Sequence, residues 1–192
     1  WEDFRNSVIH YTKTDLNWFF DEWIETTKVI DYKVGKVKYE GDKSIVTLKR
    51  KGRMQMPLDI EVTYKDGGKE LFYIPNTYFI KKDIGSIKPT WIGWDLLNQD
   101  YKLEIRDSRK VKNIIIDPSG RLADINRLNN SKQMPQSLSF SKFRQPVENY
   151  SKYSWTWQPN IWYNAIDGIK IGLDFNGTYY ANKHVFKSTV WL

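Results

Sequence analysis

The feature that most constrains this chain is a change in apolar spacing at Val29. Before that residue the apolar side chains recur at helical intervals; after it they alternate, with frequent turn signals and no helix-length pattern as far as Asp117. In the helical part, Phe4, Val8 and Tyr11 mark a short amphipathic helix from Trp1 to about Tyr11. Thr12 to Thr14 break it, and Thr14 or Asp15 is placed to cap a second helix. There Leu16, Phe19, Phe20, Trp23 and Ile24 fall at i, i+3, i+4, i+7 and i+8, one continuous apolar stripe, with Asp21, Glu22 and Glu25 away from it. A helix of about ten residues does not stand alone in water, so this one must pack on something.

The alternating part divides into short strands. In "VIDYKVGKVKYE" Ile30, Tyr32 and Val34 share a face, and Val37 and Tyr39 join them only if the register slips. Gly35 sits at the slip, where a bulge is expected. "KSIVTLKRKG" supplies a second strand, and "MPLDIEVTYKDGGKELFYIP" a hairpin turned by Asp66-Gly67-Gly68. "YKLEIR" and "VKNIIIDP" bring the total between Val29 and Asp117 to six or seven. The predicted fold class is mainly β: an antiparallel, immunoglobulin-like β-sandwich over 29–130, preceded by the helices of 1–28. From Phe79 to Asn98 the alternation fails, predicting a long surface loop that carries Trp91 and Trp94.

Residues 131–154 are rich in Ser, Gln and Pro and read as a linker. The segment 155–192 is crowded with aromatics, and in it Ile169, Ile171, Leu173 and Phe175 alternate with Lys170, Gly172, Asp174 and Asn176. Asn176-Gly177 predicts a hairpin turn there, within two or three strands that are too few for a core of their own.

Composition removes several function classes. The chain has no cysteine, which excludes thiolate metal sites, cysteine nucleophiles and disulfides. No apolar run is long enough to predict a membrane-spanning helix. The N-terminal "WEDFRNSVIH" does not resemble a leader and lacks an initial Met, so the chain reads as an excised segment. The net charge of +7 is concentrated in 43–53 and 131–152 and is read as solvated strand faces and a soluble linker. No nucleic-acid-binding module is spelled out, so nucleic acid is not an expected partner.

Catalytic chemistry is sparse. His10 and His184 lie far apart, neither with an acidic residue at ligand spacing, and no H-E-x-x-H, phosphate loop or G-x-S-x-G elbow occurs. Asp117 and Asp124 flank Gly120, but without an EF-hand's spacing a tight turn is the simpler reading. The candidate interaction surface is therefore aromatic: Trp91 and Trp94 in the loop, and Trp155, Trp157 and Trp162 in the last segment. They suit either a platform for sugar rings or another protein, or plugs for one end of a sandwich or a contact with a missing domain; the latter pair is favoured.

Three stretches together resemble the C-terminal, non-catalytic region of M1-family (gluzincin) zinc aminopeptidases of the Bacteroidetes type. "TDLNWFFDEWI" is similar to the closing helices of the family's catalytic domain, with its Asp-Leu-x-x-Phe-Phe-x-x-Trp element. "MPLDIEVTYKDGG" is similar to a strand pair of the sandwich that follows, and "IIIDPSGRLADINRLNN" to that sandwich's end. The resemblance covers about residues 1–130. It implies an accessory sandwich in an exported metallopeptidase, its partner the zinc-bearing catalytic domain in cis, its location extracytoplasmic in the periplasm or at the outer membrane. The family's zinc ligands, general base and catalytic tyrosine match no position here, so no catalytic, cofactor or metal residue is assigned, and no cofactor is expected in this chain. Leu16, Phe19, Phe20, Trp23 and Ile24 become the expected contact with the catalytic domain, or else an exposed helix through which two copies pair. The alternative function is a carbohydrate- or surface-binding sandwich module that uses the clustered Trp residues. Separately, "IWYNAIDGIKIGLDFNGTYY" resembles the opening hairpin of bacterial outer-membrane β-barrels, one face apolar and the other polar.

Overall fold

The structure, a computed structural model, describes residues 1–77, 85–141, 149–166, 168–180 and 184–191. The predicted loop residues 79–84 and linker residues 142–148 lie outside them. The chain divides into two compact units, Trp1–Gln133 and Met134–Leu192.

The first unit begins with α1 (Glu2–Thr12) and α2 (Asn17–Trp23). Asp15 rather than Thr14 helps to open α2, its Oδ1 accepting the backbone N–H of Asn17 at 3.0 Å. Arg5 ties the two helices together: its guanidinium meets Asn17 at 2.7 Å, Asp21 at 2.7 Å and Glu25 at 3.1 Å.

A β-sandwich follows. Strands β1 (Tyr32–Glu40), β2 (Lys43–Arg50) and β6 (Asp100–Arg106) form one antiparallel sheet in the order β1-β2-β6. The other runs β5-β4-β3-β7, from β3 (Leu58–Tyr64), β4 (Lys69–Ile74), β5 (Ser86–Ile87) and β7 (Val111–Ile116), with the short β5 parallel to β4. With the two-residue β5 left out of the count, the second strand pairs with the fifth (β6) and the third with the sixth (β7), the pairings of an immunoglobulin-like sandwich. Alternation makes the core: Val46 and Leu48 of β2 point inward with Leu58, Ile60, Val62 and Tyr64 of β3, while Thr47, Lys49, Asp59 and Glu61 do not. The hairpin turn at Asp66-Gly67-Gly68 is as predicted, Gly67 adopting φ +90°.

The bulge falls where the sequence placed it. Val34 pairs with Leu48 but Val37 with Val46, so Gly35 and Lys36 together oppose Thr47. A Cβ on Gly35 would lie 2.7 Å from the carbonyl oxygen of Thr47, which is backbone and cannot swing aside. Gly35→Val is accordingly expected to cost about 2 kcal/mol, as strand separation or overpacking does. Gly41, in the open β1–β2 turn, meets nothing within 4 Å at its own Cβ position, and its φ of +60° is one Asn tolerates. Gly41→Asn should therefore move the urea midpoint by under about 0.5 kcal/mol equivalent. Comparable losses at the two positions would show that the bulge is not what requires the glycine.

The second unit is a four-stranded sheet in the order β11-β10-β9-β8. Its long strands are β9 (Tyr153–Asn164) and β10 (Gly168–Tyr179), flanked by β11 (His184–Trp191) and by β8 (Gln136–Phe140), which pairs parallel to β9. Two expectations are corrected here. Residues 136–140, inside the predicted linker, form a strand. Asn176-Gly177 is no turn: both sit inside β10, opposite Thr156 and Trp155, and the chain reverses before Gly168 instead. Gly177 serves the sheet differently. The rings of Tyr153 and Trp155 lie where its Cβ would be, each within 2.7 Å of that position. Across the glycine, Trp155 reaches Phe186 at a ring separation of 5.8 Å.

Candidate functional site

The first unit carries a half-open cleft of about 660 Å³ where β6 faces β4. Phe72 and Ile105 contribute its apolar wall, and Glu70, Lys88, Lys102, Glu104 and Arg106 its charges. Lys88 reaches across it, donating from its amine to the carbonyl of Glu104 at 2.9 Å and lying 4.5 Å from the centre of the Phe72 ring. Burial holds the Lys88 ammonium below the usual lysine range; Arg106 pushes the same way, while Glu70 and Glu104 oppose it. Tyr101 closes one end, its hydroxyl donating to the Pro89 carbonyl at 2.8 Å and pushed up to about 12 by burial. Mixed charge over an apolar floor offers polar and apolar contacts side by side. Lys88 lies within the stretch in which alternation failed, so no local pattern marked it.

The tryptophans do not converge. Trp91 is buried, 2% exposed; its indole N–H donates to the Asn98 carbonyl at 2.7 Å, and its ring packs between Tyr32 at 5.7 Å and Tyr101 at 5.3 Å. Trp91 therefore leaves the candidate interaction surface: the segment folds back and drives this side chain into the core, which corrects its placement on a surface loop and agrees with a plug, one of the two favoured readings. Trp94, three residues on, is 66% exposed, with the amine of Lys28 4.7 Å from its ring centre. In the second unit Trp155 and Trp157 share a face of β9, half-buried beside Gln136 and Phe140, whereas Trp162 points to the opposite face.

The α2 stripe is only partly covered. Phe20 is buried, with the rings of Trp1 and Phe4 packed edge-on against it at 5.5 and 6.4 Å. Leu16 is half-buried, and Phe19, Trp23 and Ile24 remain exposed, Ile24 at 54%. The helix leans on the sandwich at one edge: Trp18 packs against the core, and the indole N–H of Trp23 lies 3.3 Å from the Met56 sulfur. Glu22 is drawn in with it, 3.6 Å from the amine of Lys28.

Two carboxylates organise the sandwich's far end. Asp117 stands at φ +52° and closes a turn, accepting the backbone N–H groups of Arg121 and Leu122 at 3.1 and 2.7 Å. Asp124 accepts those of Tyr32 and Asn126, both at 2.8 Å. Burial raises its carboxyl above the usual carboxylate range, against those hydrogen bonds. Asp117 thus sits in the tight turn the sequence suggested, its carbonyl accepting the N–H of Gly120 at 3.0 Å, whereas Asp124 holds the start of β1. Among the described residues no group of three His, Asp or Glu is placed to hold a metal ion, and no helix is long and apolar enough to cross a membrane. Comparisons with protein-family profiles, with characterised proteins and with solved structures returned no match for this chain.

Proposed function

We propose that this chain is the non-catalytic, accessory β-sandwich region of an M1-like zinc metallopeptidase, an exported aminopeptidase whose catalytic domain joins it in cis on the N-terminal side. The observation that supports the reading most is the state of α2. Its stripe seats Phe20 and leaves Phe19, Trp23 and Ile24 open beside the sandwich. An apolar helix face of that kind suits a further packed domain, and the resemblance of "TDLNWFFDEWI" names one. Paired copies of the chain would cover the same face. The zinc and the hydrolytic groups then belong to the catalytic domain, and the sandwich positions it.

The test compares the whole gene product with this 192-residue chain. The whole product is expected to bind one zinc and hydrolyse aminoacyl-anilides, its reading frame encoding H-E-x-x-H and a downstream Glu ahead of Trp1; the 192-residue chain is expected to do neither. Zinc with turnover in the shorter chain, or an upstream frame without that motif, overturns the proposal. The glycan-platform reading gains little support, since Trp91 is buried and Trp162 faces away from Trp155 and Trp157.

A further inference from the structure

We infer that the sheet of the second unit is a lipid-facing wall, its apolar face made to lie against acyl chains as one side of a membrane β-barrel. This rests on the register of the sheet and not on the peptidase reading. Cross-strand partners share a face, so Pro159, Ile161, Ile171, Leu173 and Val190 lie together on one side. Ile161, Ile171 and Val190 are 71, 57 and 53% exposed. No Asp, Glu, Lys or Arg from β8, β9, β10 or β11 points to that side; Lys170, Asp174 and Lys187 all fall on the other. The polar side is built as a wet surface: Asp174 accepts from Gln158 at 3.3 Å, Asn160 at 3.2 Å and Thr189 at 2.7 Å, and these bonds, that from Thr189 foremost, hold its carboxyl below the usual range.

Soluble sheets with one solvated face turn the polar side outward, and a face on which Ile161, Ile171, Leu173 and Val190 stand with Gln136, Ser188 and His184 as its polar members is not what a soluble monomer presents. The charge pattern instead complements hydrocarbon, and the ends of the band choose among apolar partners. Tyr153, Trp155 and Trp157, with Phe175 and Phe186, stand toward one end and Tyr163 at the other, with Pro159, Ile161, Ile171 and Leu173 between. Amphipathic rings in two girdles are what a boundary between lipid and water selects, whereas sheet-on-sheet packing against a second copy does not call for them. The length agrees. Tyr153 to Tyr163 is ten residue steps; at about 3.4 Å each and a tilt of about 40° they span about 26 Å, close to the ~25 Å apolar band of such barrels. Unpaired backbone at the outer edges of β8 and β11 cannot face lipid, and barrels begin at about eight strands, so in the membrane further strands pair with both edges, those of other copies where the 192-residue chain is the sole protein present.

The test refolds the 192-residue chain from urea with dioleoylphosphatidylcholine vesicles, and in parallel with vesicles whose acyl chains are brominated at mid-chain. The chain is expected to float with the vesicles. Mid-chain bromine is expected to quench a tryptophan introduced by Leu173→Trp, which stands in mid-band, more strongly than it quenches the unsubstituted chain, whose Trp155 and Trp157 lie toward the end of the band. Leu173→Arg places a charge in mid-band and should lower the bound-to-free ratio on the order of 100-fold. Asn160→Arg adds the same charge at the same depth on the polar side and should change the ratio by less than about threefold. A chain that stays in the supernatant, quenching confined to bromine near the headgroups, or equal losses from the two arginine variants overturns the inference. So does a soluble dimer, or docking on the first unit, that shields the apolar face without lipid. The quenching of the Leu173→Trp chain stands even if Leu173→Arg fails to fold.

Discussion

Replacing Arg50 by Met is expected to destabilise the sandwich by about 4 kcal/mol, shifting its urea midpoint by about 2 M for a unit of this size. Arg50 ends β2 on its inward side and is 1% exposed. Its guanidinium is met by backbone carbonyls: Nη1 donates to Arg53 at 3.0 Å, to Asp95 at 2.5 Å and, at 3.3 Å, to Gly52, while Nη2 donates to Leu97 at 2.8 Å. The main chain repeats the tie, Arg50 donating to Gln99 at 2.7 Å and accepting from the Gln99 side chain at 3.3 Å. One planar cation thus stitches the end of β2 to the 95–99 segment. Methionine keeps the apolar stem but strands those carbonyls in a closed space, and the cost per lost charged hydrogen bond exceeds the relief from desolvating one fewer ion. Arg50→Lys should recover less than half, because a single ammonium cannot span the Asp95 and Leu97 carbonyls together. Hydrogen exchange at the β2 and β3 amides reports this unit separately from the other. A loss below about 0.5 kcal/mol in Arg50→Met would show that water replaces the guanidinium and that the site is not closed.

What could be read in advance, and what could not, follows from the range of the forces involved. Alternation is a local consequence of a sheet with one buried face, so Val46 to Leu48 and Leu58 to Tyr64 declared themselves, and the slip at Gly35 showed as a break in the same count. Arg50 sits in the run "KRKGR", which looks like solvent-facing charge; the carbonyls that bury it arrive 45 residues later. Asn176-Gly177 carries the local chemistry of a hairpin, yet pairing with β9 on one side and β11 on the other outweighs that preference, and the bare Cα of Gly177 is used to seat Trp155. β8 alternates too, with Leu138 and Phe140 on one face, but Ser- and Gln-rich surroundings hid it, and a parallel partner 17 residues away cannot be seen locally. For the candidate site the same division holds. The stripe of α2 and the two faces of β10 are periodic and legible, whereas the cleft at Lys88 exists only once β6 and β4 are brought together.

Trp91→Ala should cost about 4 kcal/mol, the loss typical of emptying a large buried aromatic. The side chain fills the gap between Tyr32 and Tyr101 at the end of the core. Its backbone N–H donates to the Pro75 carbonyl at 2.8 Å and its indole to Asn98 at 2.7 Å, so the ring is the point at which the irregular segment is fixed to the sandwich. Tyr32 itself cannot close the hole, because its hydroxyl is held by the N–H of Met56 at 2.8 Å and burial keeps it well above the ordinary tyrosine range. Trp91→Phe retains most of the volume and loses one hydrogen bond, so about 1–2 kcal/mol is expected. Trp94→Ala, three residues away, removes an exposed ring over Lys28 and should change stability by under about 0.5 kcal/mol. Urea melts of the three variants separate a plug from a platform. A plug gives the ordered losses above, and a ligand-binding scan that includes Trp91→Ala then measures unfolding. A platform gives small and similar losses for Trp91→Ala and Trp94→Ala, and that result would return Trp91 to the surface.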